Sequence, residues 1–129
     1  MDNSNWSKFW RFWFPAILYS GIIFCVSSVP NVKTPFTGIH LDAILHILIY
    51  IPFGFLIARA IYNTQVSISG GTLVGMVLLI SFLYGSSDEI HQSFVLGRNA
   101  EIFDLIADTI GGITGGYAYL LSLKCRRNT

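Results

Sequence analysis

Between Ser86 and Gly112 the chain reads SSDEIHQSFVLGRNAEIFDLIADTIGG, and its residue types are those of proton transfer and ion binding. Asp88, Glu89 and His91 place two carboxylates beside an imidazole within one helical turn, the ingredients of general acid–base chemistry, and are the candidate catalytic residues. In a helix Asp88 and Gln92 share a face with His91 close to it, whereas Glu89 points about 100° away, so the two acids look at different partners. Asp104 and Asp108 lie one turn apart on a common face, the second about 6 Å deeper along the axis. Upstream, Asp42, His46 and Tyr50 recur at four-residue steps and line one side of a helix. Together with Gln92, Arg98, Asp104 and Asp108 they form the candidate substrate-binding set.

The elements that must position these groups are membrane helices. Of the 129 residues 53% are hydrophobic and only 12% charged, a composition outside the soluble range. Apolar runs at about 12–29, 42–61, 70–90 and 102–123 have the length of bilayer spans and make residues 1–129 a single all-α domain, an integral membrane four-helix bundle. The first run follows Trp6, Trp10 and Trp13, an interfacial aromatic approach, and reads as an anchor in preference to a cleaved leader. Pro30 to Leu41 reads as a loop from Pro30, Asn31, Pro35 and Gly38, and Asn63 to Ser69 as a short polar turn. Pro52 and Gly54 sit inside the second span, where a neighbour must satisfy the carbonyl that proline frees.

Sidedness follows from charge. Lys8, Arg11, Arg59, Lys124, Arg126 and Arg127 fall on the side of the termini, with Lys33 and Arg98 on the other, so the positive-inside rule predicts cytoplasmic termini. Six of the seven acids, Asp42, Asp88, Glu89, Glu101, Asp104 and Asp108, then share the outer side, and the polar cluster opens outward. A charge at the centre of a membrane helix costs roughly 2.5–3.5 kcal/mol, which makes ionisable residues there a functional expectation by default. Asp104 and Asp108 therefore require Arg98, His46 or a proton as partner, and Asp42 is the local partner for His46.

Other chemistries find little support. No local spacing matches a metal motif; a site would have to be assembled from His46, His91 and a carboxylate for zinc or from the carboxylates alone for a hard cation, and neither metal nor cofactor is expected. Cys25 and Cys125 are far apart in the topology and lack ligand spacing. No basic block suggests nucleic acid, and the sequence around Gly85-Ser86-Ser87 lacks the second glycine of a serine-hydrolase elbow. Gly111, Gly112, Gly115 and Gly116 form overlapping small-xxx-small pairs that suit close helix packing within one chain or in a homo-oligomer.

The order Asp42-Ala43-Ile44-Leu45-His46 with Tyr50, Ser87-Asp88-Glu89-Ile90-His91-Gln92, Gly97-Arg98 and Asp104-x-x-x-Asp108-Thr109-x-Gly111 resembles the VanZ-like family of small bacterial membrane proteins. Two positions depart from the family pattern: Ala43 stands where a lysine is frequent and Leu96 where a proline is, so any ion pair made by that lysine does not transfer here. The resemblance implies a multi-pass protein of the bacterial cytoplasmic membrane and an association with reduced sensitivity to teicoplanin-type glycopeptides. The expected partners are the bilayer and an envelope precursor or lipid headgroup, with Arg98 meeting an anion and Glu89 or His91 moving a proton. The alternative is a non-catalytic scaffold whose polar cluster holds the bundle together.

Overall fold

In a bilayer every backbone N–H and C=O must be satisfied within its own segment, which makes long apolar runs helical. The computed structural model, which describes residues 3–30, 39–65 and 67–128, consists of helices and short connections throughout these residues. Asn3–Lys8 (α1) continues through a π-helical stretch, Phe9–Trp13, into Phe14–Ser27 (α2). Ile39–Thr64 (α3), Gly70–Gln92 (α4) and Ile102–Arg127 (α5) complete the fold. Three segments are long and apolar enough to cross a membrane: Trp6–Ser27, Asp42–Thr64 and Gly70–Gln92. Helix α5 has the length of a span, 26 residues, but its aspartates and glycines make it less apolar, because much of it faces protein instead of the exterior.

Contacts along the helices set their directions. His46 meets Asp108 near the start of α3 and α5, and Asn63 meets Tyr119 near their ends, so these two run parallel. Tyr84 Oη donates to Ser20 O and Ser28 meets His91, which makes α2 and α4 parallel to each other and opposite to α3 and α5. The result is an up-down-up-down bundle with α5 packed between α3 and α4. A Cβ at Gly115 would overlap Ile51 O, and one at Gly112 would overlap Ser81 Oγ. Without side chains at these points, the α5 backbone reaches α3 on one side and α4 on the other. All four α5 glycines are buried against their own chain.

Helix α2 is peripheral. Ala16, Ile23 and Ser27 are buried, while Ile17, Leu18, Ile22, Phe24 and Val26 form an apolar exterior. Pro15 has no N–H to give Arg11 O, four residues earlier, and Arg59 Nη1 donates to that carbonyl at 3.1 Å. At Pro52 α3 stays continuous, and Tyr19 Oη donates to the neighbouring Ile49 O at 2.9 Å.

Several boundaries differ from the sequence expectation. Ile39, His40 and Leu41 belong to α3, not to the preceding loop; Lys33 and the breakers Asn31, Pro35 and Gly38 lie outside the described residues. Helix α4 does continue through Ser86–Gln92. It starts at Gly70 behind the N-cap Ser69, whose hydroxyl accepts from Thr72 N at 3.1 Å, and Asn63 and Thr64 of the expected 63–69 turn belong to the end of α3.

Candidate functional site

The polar residues of α3, α4 and α5 meet at the bundle end that holds the 93–101 connection. His46 turns from α3 toward α5, its Nδ1 2.8 Å from Asp108 Oδ1 and its Nε2 3.7 Å from Asp104 Oδ2. Asp108 is completely buried, with Oδ2 resting over Gly85 of α4, where a Cβ would come within 3.0 Å of it. The partner of His46 is therefore on α5, and the expectation of Asp42 is corrected. Asp42 is exposed in the first turn of α3: a residue four positions earlier on the same helix lies beside the imidazole, whereas the glycine face of α5 carries Asp108 directly across from it.

The two acids of α4 have separate partners, as their angular offset requires. Asp88 Oδ2 accepts from Gln92 Nε2 at 2.9 Å, both groups buried. Glu89 Oε2 accepts the backbone N–H of Glu101, the N-cap of α5, at 2.7 Å. A carboxylate on α4 thus fixes the entry of the chain into α5 and with it the position of Asp104 and Asp108. Gly97 has φ 79°, the left-handed conformation that glycine adopts without strain, and it turns the connection so that Arg98 lies between α3 and α5.

His91 is not brought to this cluster. Its Nε2 lies 2.9 Å from Ser28 Oγ, and its ring stacks on Phe24 with centroids 4.4 Å apart, so it ties α4 to α2. This separation also dissolves the metal set of His46, His91 and a carboxylate. The histidine and carboxylates that do converge are His46, Glu89 and Asp108, one donor atom from each lying within 4.8 Å of the others.

Two hollows and a polar crevice surround Arg98. A cavity of about 40 Å³ is lined by Ser27, His46, Tyr50, Asp88, Gln92 and Arg98 among others, enough for a few water molecules. A wider hollow of about 340 Å³ combines Val26, Val29, Leu45 and Ile49 with Asp42, His46 and Arg98. The crevice joins Asp42, Gln92, Arg98, Glu101 and Asp104. Ser27 Oγ, Tyr50 Oη, Ser81 Oγ, Asp88 Oδ1, Glu89 Oε1 and Asp108 Oδ2 are buried without a close hydrogen-bond partner among the described residues, the Tyr50 hydroxyl lying beside the Asp108 carboxylate, and all but Ser81 belong to this end of the bundle. Buried polar atoms are nearly always paired in proteins, so this concentration marks a place built for something other than packing. Ser27 was not anticipated: at the end of an apolar run it reads as a boundary residue, and only the placement of α2 brings it to the cavity.

Fold and site together define a small helical membrane protein with a buried polar centre at one end of its bundle. Residues 4–123 match the VanZ/LLP1 family, and the chain belongs to it. No curated protein and no solved structure matches the chain.

Proposed function

We propose that the protein is a multi-pass component of the bacterial cytoplasmic membrane whose polar pocket opens outward and binds an anionic, lipid-linked molecule of the cell envelope. The observation that carries this reading is the wall of the larger hollow. Val26, Val29, Leu45 and Ile49 offer a surface for a hydrocarbon chain, and Arg98 stands at the same hollow as the donor for a phosphate or carboxylate. The orientation rests on the cations at the opposite end, Lys8, Arg11, Arg59, Lys124, Arg126 and Arg127. His91 is engaged with α2, so of the residues first given the acid–base role Glu89 and Asp88 remain at the pocket. A link to glycopeptide sensitivity belongs to the same proposal, through the envelope molecule bound.

The test is glycopeptide susceptibility of a bacterial host carrying wild-type, Glu89→Gln or Arg98→Ala protein at equal membrane abundance. Resistance from wild type that both variants lose is the expected result. Loss of effect that follows loss of folded protein would instead support a scaffold with a structural polar cluster. Full resistance from both variants would overturn the pocket.

A further inference from the structure

Asp88, Glu89, Asp104 and Asp108 are all buried, and among the described residues the positive groups beside them are Arg98 and, when protonated, His46. Four carboxylates in a membrane bundle are costly without compensation, and an anionic headgroup would be repelled by them. Positive charge at a defined point would offset both costs.

We infer that His46, Glu89 and Asp108 bind a divalent cation of the zinc or manganese type. Three features of the cluster carry the inference. The donor atoms come from three different helices and already lie within 4.8 Å of one another, while ligands around a tetrahedral ion at 2.0–2.2 Å stand about 3.4 Å apart, so small side-chain rotations close the site. Glu89 and Asp108 are more than nine-tenths buried, and each keeps one oxygen, Oε1 and Oδ2, without a hydrogen-bond partner among the described residues. With neutral His46 the set carries two negative charges, which a divalent ion cancels. One imidazole and two carboxylates suit zinc or manganese better than magnesium or calcium, which favour all-oxygen shells.

Three protein ligands leave a coordination position open, the pattern of catalytic and not structural ions. His46 also lines the cavity it shares with Tyr50, Asp88 and Arg98, so that position is near the proposed binding pocket. A cation there cancels two of the four buried negative charges and, with Arg98, gives an anionic oxygen two positive points to meet. This use of the ion rests on the pocket reading above; the binding of the ion does not.

The experiment uses full-length protein in nanodiscs, freed of metal with a chelator and then titrated separately with ZnCl2, MnCl2, MgCl2 and CaCl2. Bound metal is measured by equilibrium dialysis and thermal stability in parallel. Wild type is expected to hold one zinc or manganese ion per chain and to unfold at higher temperature with it, with weaker binding of magnesium and calcium. Asp108→Asn and Glu89→Gln should each weaken binding by about a hundredfold. Glu89→Gln keeps a side-chain oxygen for the N–H of Glu101 and so remains informative even if Asp108→Asn fails to fold. Lys124→Ala, at the other end of the bundle, should leave binding unchanged. Absence of binding by wild type, equal binding by the Glu89 and Asp108 variants, or a matching loss in Lys124→Ala would each overturn the site. A pocket without an ion would appear as no metal uptake with a surviving Arg98→Ala phenotype, and an ion without the pocket as the reverse.

Discussion

The two ends of the bundle are made of similar residues put to opposite uses. At the end where α3 and α5 finish, Asn63 Nδ2 donates both to Tyr119 Oη at 2.9 Å and to Arg59 O at 2.7 Å, and Thr64 Oγ1 donates to Ala60 O. Lys124 and Arg127 are exposed beside a hollow of about 470 Å³, which is walled by Tyr62, Val74, Tyr117 and Leu120 and lined by no acid. At the other end the hollows are smaller, yet buried carboxylate and hydroxyl oxygens remain without partners. Volume alone would place the site at the wrong end; unsatisfied polar atoms distinguish a site from a packing gap.

The strongest way to break this comparison is His46→Ala. It removes the only described ion-pair partner of both Asp108 and Asp104 and leaves two buried carboxylates facing each other. The expected destabilisation is about 3–5 kcal/mol, the cost of removing one member of a buried pair. Denaturant titration in mixed micelles measures it. A loss under about 1 kcal/mol would mean that the carboxylates hold their own protons and that the imidazole contributes nothing to the bundle.

A smaller effect is expected from Gly112→Val, whose side chain would meet Ser81 and push α5 away from α4, costing about 1–3 kcal/mol as overpacking does. The contrast is Gly75→Ala. No atom lies within 4 Å of a Cβ there, so exposed α4 should gain up to about 1 kcal/mol from the better helix former. Equal tolerance at both positions would sink the argument that glycine is needed for helix approach and not merely accepted.

Much of the site was legible because helical spacing is a property of the chain itself. The four-residue steps of Asp42, His46 and Tyr50, and the offset between Asp88 and Glu89, reappear as different faces and different partners. What the spacing does not contain is rotation of one helix against another. Spacing along α3 favours Asp42 as the neighbour of His46, and only the close approach of α3 and α5 at the α5 glycines brings Asp108 to it instead. His91 differs from Gln92 by one position, yet one faces α2 and the other the cavity. Ser27 and Ser28 carry no sign of a site role, since small polar residues ending an apolar run read as a boundary or as a leader-cleavage site.

The finest test applies one chemical change to both ends. Tyr119→Phe removes an acceptor that Asn63 uses, so it should cost about 0.6 kcal/mol, the usual size of a hydrogen bond between membrane helices. Tyr50→Phe removes a buried hydroxyl that makes no close hydrogen bond and lies beside the Asp108 carboxylate, so the same deletion should cost less or be neutral. The two rings make similar packing contacts, Tyr50 with Phe53 at 5.4 Å and Tyr119 with Phe55 at 5.3 Å between centroids, and phenylalanine preserves both. A smaller cost at Tyr50 in paired unfolding measurements, with loss of the resistance phenotype confined to Tyr50→Phe, would mean that its hydroxyl is retained for a ligand and not for stability. Equal costs at the two ends would mean that Tyr50 finds a partner in the folded bundle and that the polar end is held together like the other.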